Sequence, residues 1–202
     1  MAYGCTKTLL MAGNFILASG SPRRKELLAM LDLNFRVDIS RSVEEIIPDG
    51  TPAEAVPVYL SRLKAAPYLS DLRRDDVLIT ADTVVILDGE VIGKPVDAVD
   101  ACAVLAKLSG RTHTVVTGVS IGRQGYPLHT FSEITKVEFA PISASEIAYY
   151  VEKYSPLDKA GAYGIQEWIG AVAVKGMTGS FYNVMGLPVN RLYRELKVLE
   201  IL

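Results

Sequence analysis

The chain has 202 residues, half of them apolar and 22% charged, with a formal net charge of −2. That length builds one substantial core or two closely joined lobes. The near-neutral balance excludes wholesale coating of nucleic acid or of an anionic membrane, so any anion site must be a local basic cluster. Two cysteines, Cys5 and Cys102, and two isolated histidines, His113 and His129, supply neither a disulfide framework nor a His-rich zinc site. No apolar run approaches the roughly 20 residues that span a bilayer, and cytoplasm is the expected compartment.

Residues 1–14 hold a broken apolar run with one lysine and are expected to form a flexible leader, with a single domain over 15–202. Phe15–Ala18 reads as a short strand, broken by Ser19-Gly20-Ser21-Pro22. Ser21 suits a helix cap with Pro22 at the first position, and Leu27, Leu28 and Leu31 supply the apolar stripe. Phe35, Val37 and Ile39 alternate as in a strand. Pro52–Leu72 has a helical pattern that Pro57 and Pro67 must bend or shorten. Val77–Ala81 is apolar, and Val84–Leu87 with Val91–Ile92 flanks an Asp88-Gly89 hairpin signal. A helix is predicted over Asp97–Leu108, stopped by Gly110. Thr112–Ile121 and Leu128–Phe139 are β-branched and long, which predicts a hairpin able to bridge two lobes. Ser143 to Glu146 forms a capping box for a helix to Lys153. A Gly-rich loop, short strands and a closing helix over Val189–Leu199 complete an α/β or α+β pattern.

Five segments carry chemistry. Ser19-Gly20-Ser21-Pro22-Arg23-Arg24-Lys25 gathers three cations at a helix N-terminus, where they are unfavourable unless an anion docks; the alternative is a solvated basic turn. Asp82 and Thr83 interrupt an apolar run, and a carboxylate there must pair, hold a metal, do chemistry or reach water at a strand end. Glu44-Glu45 offers the hard oxygens that Mg²⁺ or Mn²⁺ prefers, or is a solvated acidic loop. Gly93-Lys94-Pro95 is no P-loop, because Gly89 and Gly93 are one residue too close and Pro95 replaces Ser/Thr; Lys94 there, like Lys64 on its helix, is a phosphate ligand or simply exposed. Asp158-Lys159-Ala160-Gly161-Ala162-Tyr163-Gly164-Ile165-Gln166 is a loop of small residues ending in an amide whose donor and acceptor suit the edge of a nucleobase; an ordinary turn is the other reading. Gly176, Gly179 and Gly186-Leu187-Pro188 are turns or points of close backbone approach.

In this order the segments resemble the Maf family of nucleotide pyrophosphatases, from about Phe15 to Leu199. The most specific pieces are Ala18 to Arg24 and Leu157 to Gln166; Glu44-Glu45, Leu60 to Ala65, Ala81-Asp82-Thr83, Gly93-Lys94-Pro95, Leu108 to Gly110 and Val184 to Pro188 complete the match. Only Pro67, just after the Lys64 segment, and the leader depart from the pattern. The resemblance implies a mixed twisted sheet with flanking helices, two lobes around a cleft, and a homodimer. It also implies hydrolysis of a nucleoside triphosphate to the monophosphate and pyrophosphate with a divalent metal, Mg²⁺ or Mn²⁺. Catalytic roles carry over to Asp82, the proton acceptor, and to Glu45, Lys64 and Lys94. Substrate contacts carry over to Ser21, Arg23, Arg24, Thr83 and Gln166, and the metal falls to Glu45 and Asp82. Arg23, Thr83 and Gln166 stand where the dTTP/UTP-preferring branch has its selectivity residues. The same reaction on another base, or a nucleotide-binding regulator of cell division, are the competing functions. Two carboxylates kept beside three cations favour turnover over mere binding.

Overall fold

The computed structural model describes residues 13–202. Cys5 and most of the expected leader lie outside the described residues; Asn14 opens the first strand. Seven strands form one mixed sheet: β1 (Asn14–Leu17), β2 (Phe35–Val37), β3 (Asp76–Leu87), β4 (Glu90–Ile92), β5 (Thr112–Gly122), β6 (His129–Phe139) and β7 (Val174–Thr178). Their spatial order is β2-β1-β3-β5-β6-β7, with β4 also paired to β3. β1 runs parallel to β2 and β3, whereas β4 to β7 join by antiparallel pairing. Among the described residues, no helix is long and apolar enough to cross a membrane.

The two apolar runs on either side of Asp82 are a single strand of 12 residues. β5 pairs with it from Leu78 to Ile86 along one edge. The other edge is shared: β1 pairs as far as Ile79, and β4 begins at Val85. Between those points β3 has no partner strand on that side, and this notch in the sheet is where the cleft opens.

Alternation along β3 then decides what each face carries. Leu78, Thr80, Asp82, Val84 and Ile86 face α2 (Val56–Ala65) and the turn that follows it, and pack with Leu60, Val116 and Tyr68. On the opposite face Ile79 and Ala81 join one core with α1 (Pro22–Ala29) and α7 (Val189–Val198). Val85 and Leu87 join a second core with α3 (Ala98–Leu108) and α4 (Ala144–Tyr154). These two cores are the two lobes, and Thr83 sits between them.

Several elements end where the sequence placed their stops. Ser21 caps α1, and Ser143 with Glu146 forms a complete capping box on α4. The prolines shorten the expected Pro52–Leu72 helix to α2, with 3₁₀ turns over Ala53–Ala55 and Ala66–Asp71 on either side. Ile39 is a correction: β2 stops at Val37 and Ile39 is exposed. Asp38 accepts from the backbone N–H and hydroxyl of Ser40, and this local turn competes successfully with strand extension. The segment after the Gly-rich loop holds β7 together with two short helices, α5 (Trp168–Ala173) and α6 (Phe181–Met185), rather than strands alone.

α2 is held in register on the sheet by polar contacts. Thr80 donates to the Ser61 carbonyl at 2.7 Å, and the Ser61 and Ser120 hydroxyls meet at 2.8 Å. Gly118, directly opposite Asp82 in the β3–β5 ladder, carries the start of α2 so closely that a Cβ would meet Pro57 and Val58 backbone at 2.3 Å. One helical turn beyond Ser61 is Lys64, and two strand residues beyond Thr80 is Asp82.

Candidate active site

That register brings Lys64 Nζ to 2.5 Å from Asp82 and 3.2 Å from Glu45. Asp82 is largely buried on β3, while Glu45 reaches in from the exposed loop after β2. One ammonium against two carboxylates leaves the trio with a net charge of −1. A divalent cation held by the two carboxylates would reverse that sign. Among the described residues no three acidic, His or Cys groups converge as a ready-made metal cage. Two hard carboxylates nevertheless suit Mg²⁺, which usually keeps waters and takes its other oxygens from substrate phosphate.

Arg24 approaches the other side of the notch from α1. Its guanidinium donates to the Gly186 carbonyl (2.8 Å), the Thr83 hydroxyl (3.1 Å) and the Ser19 hydroxyl (3.4 Å), all neutral acceptors. Gly186 offers that carbonyl from a left-handed backbone, φ 118°, which a side chain would strain. Burial pulls the Arg24 pKa below its usual range, with Asp82 opposing the shift. An arginine stays protonated at neutral pH regardless. A desolvated guanidinium bound only to neutral groups is poised for an anion. Thr83 is fixed in turn, 2.9 Å from Thr117, whose hydroxyl donates to the Asn183 carbonyl.

The second lobe supplies the far wall. Lys94 follows β4 and is exposed, and the adjacent Gly93 carbonyl accepts from Gly161 at 3.0 Å, joining this turn to the Gly-rich loop. Gly161 to Ile165 are all buried, and Gln166 is the first side chain to emerge. Arg23 spans the mouth, with Nη1 2.9 Å from Asp158. Ser21, Arg23, Arg24, Asp82, Thr83, Lys94 and Gln166 line one cleft, and Glu45 and Lys64 line an adjoining hollow on the α2 side. The Lys64–Asp82 contact joins the two.

The structure adds residues that sequence reading did not single out. Lys159 lines the cleft although its side chain is only 9% exposed, within reach of Asp158 (2.8 Å) and Glu167 (3.3 Å). Tyr150 donates to Glu167 and accepts from the Gly164 N–H at 3.0 Å. A signal existed for Tyr150: a tyrosine on the buried stripe of an amphipathic helix must find a partner for its hydroxyl.

Residues 14–199 match the family model described as Maf-like protein. A dTTP/UTP pyrophosphatase of Phocaeicola vulgatus is 53% identical over 184 residues, covering 91% of this chain and 95% of that protein. One from Porphyromonas gingivalis is 53% identical, covering 90% and 92%, and one from Bacteroides fragilis 48%, covering 91% and 95%. Among solved structures the Ham1 protein of Staphylococcus aureus superposes with a TM-score of 0.52 at 18% identity, covering 91% of this chain and 98% of that one, which is likeness of fold.

Proposed function

This chain belongs to the Maf-like protein family, and on that premise we propose that it hydrolyses dTTP and UTP between the α- and β-phosphates, releasing pyrophosphate and leaving the monophosphate. One observation carries the reading. The half-buried Arg24 guanidinium and the Asp82–Lys64–Glu45 trio meet at the notch in β3, and the free amide of Gln166 lies along the same cleft.

Phosphoryl hydrolysis asks the protein to neutralise charge and aim a water, with little covalent work. Arg24, anchored by three neutral acceptors, grips phosphate oxygens without having to reorganise. Lys94 adds positive charge from the second lobe. Asp82 accepts a proton from the attacking water, or orients it, and Lys64 holds that carboxylate in place. Asp82 and Glu45 together would hold the divalent metal, Mg²⁺ or Mn²⁺, which when bound withdraws charge from the phosphates. At the other end the Gln166 amide pairs one donor and one acceptor with the imide edge of uracil or thymine. Cytosine reverses one of those partners and leaves a polar group unpaired. The homodimer that the resemblance implies, and the cytoplasmic compartment expected from the sequence, belong to the same reading.

The test is a nucleotide panel in Mg²⁺ and in Mn²⁺, with products separated by ion-exchange chromatography. We expect pyrophosphate and monophosphate, with dTTP and UTP turned over faster than CTP or the purine triphosphates. Diphosphate plus orthophosphate would place the attack at the γ-phosphate and end this mechanism.

A further inference from the structure

We propose that Tyr150, Glu167 and Lys159 form a positioning unit that sets base selectivity by fixing the backbone that presents Gln166. The inference rests on the pyrimidine-reading assignment of the preceding section and says what enforces it.

Gln166 makes no hydrogen bond within the described residues that holds its amide in place, and it stands at the end of a run whose other side chains face inward. Its position therefore depends on the backbone beneath it. Two bonds hold that backbone. Glu167 N–H donates to the Gly164 carbonyl at 3.0 Å, closing a tight turn over Gly164–Glu167, and Gly164 N–H donates to the Tyr150 hydroxyl at 3.0 Å. The same hydroxyl donates to the Glu167 carboxylate, so Tyr150 clamps the turn at both ends.

The carboxylate lies in space that only a glycine leaves free, because a Cβ on Gly164 would come within 2.7–2.9 Å of it. Its other oxygen is 3.3 Å from Lys159 Nζ. Burying one carboxylate under a turn is unfavourable unless it is paired and hydrogen-bonded, and Lys159 and Tyr150 supply one of each. Tyr150 is fully buried on α4, and burial together with the neighbouring carboxylate keeps its hydroxyl protonated, hence a permanent donor. Lys159 also meets Asp158, which pairs with Arg23 on α1. The unit thus connects the turn carrying the base reader to the helix that carries the phosphate-binding arginine. None of Tyr150, Glu167 or Lys159 is asked to touch the reacting atoms.

Three substitutions break the unit in different ways: Tyr150→Phe removes the clamp, Glu167→Gln removes the charge, and Gly164→Ala fills the space of the carboxylate. The full-length enzyme and each variant are assayed for kcat and KM on dTTP, UTP and CTP, and for inhibition by inorganic tripolyphosphate, which has no base. The expected result is a fall of about tenfold or more in kcat/KM for dTTP and UTP, carried mostly by KM. CTP hydrolysis and the tripolyphosphate inhibition constant should stay within about twofold, because Arg24, Lys94 and Asp82 are untouched. A purely structural role would lower every substrate together and weaken tripolyphosphate binding, and that outcome overturns the proposal. Full dTTP and UTP preference in all three variants overturns it as well, leaving the pyrimidine assignment standing. A wild-type enzyme with no such preference removes the assignment and the proposal with it.

Discussion

Asp82 combines a largely buried carboxylate with a lysine at 2.5 Å, so replacing it with Asn keeps the shape and removes both charge and basicity. Loss of one positioned electrostatic group typically costs about 10²–10³ in rate. Asp82→Asn should therefore lower kcat by that factor with little change in melting temperature. Near-normal turnover would show that the pair serves stability alone. His113 gives a prediction of a different kind. It is buried, with Nε2 2.7 Å from the Tyr163 hydroxyl and edge contacts to Phe139 and Tyr163 at 4.9 and 5.4 Å between ring centroids. Burial lowers its pKa from 6.5 to about 4. Between those values the unfolded chain takes up a proton that the folded chain refuses. This contribution to stability is whole above about pH 6.5 and is lost progressively as the pH falls toward 4. His113→Gln keeps a partner for Tyr163 and does not titrate there. Its melting temperature should fall less between pH 7 and pH 5 than that of the wild type, and identical slopes would assign the acid sensitivity elsewhere.

β3 and α2 together place the chemistry, and Gly118 is the residue on which their spacing depends. Gly118→Ala puts a methyl group where backbone atoms of Pro57 and Val58 already stand, so α2 must lift off the sheet. Overpacking of this kind typically costs about 1–3 kcal/mol. Here it should also separate Lys64 from Asp82 and depress kcat, although Gly118 carries no functional group; thermal melts and steady-state rates measured together check both effects. The caps, stops and the long β5–β6 hairpin were legible because turn and cap residues act locally. Continuity of β3 through Asp82 was not, since a carboxylate amid apolar residues reads as an interruption until the β5 ladder and Lys64 are present to accept it. α5 and α6 escaped notice because five or six residues are too few to show a period. Arg24, Asp82 and Gln166 stand out in the sequence for a similar reason: their chemistry is at odds with their neighbours. Tyr150 stands out less, because only the partner that its buried hydroxyl demands sets it apart from the other stripe residues of α4.

At the scale of the whole molecule, two cores sit on one face of one strand, with Ala81 anchored in the first and Val85 in the second. β5 and β6 cross the same divide, with Val119 and Phe131 in the first core and Val115 and Val137 in the second. Three paired strands therefore floor both lobes, and Asp82 and Thr83 stand on that floor opposite Gly118 and Thr117. The consequence is a braced seat: contacts made at the rim, where Arg23 meets Asp158, load helices and loops, whereas the carboxylate is tied through backbone hydrogen bonds to strands anchored in both cores.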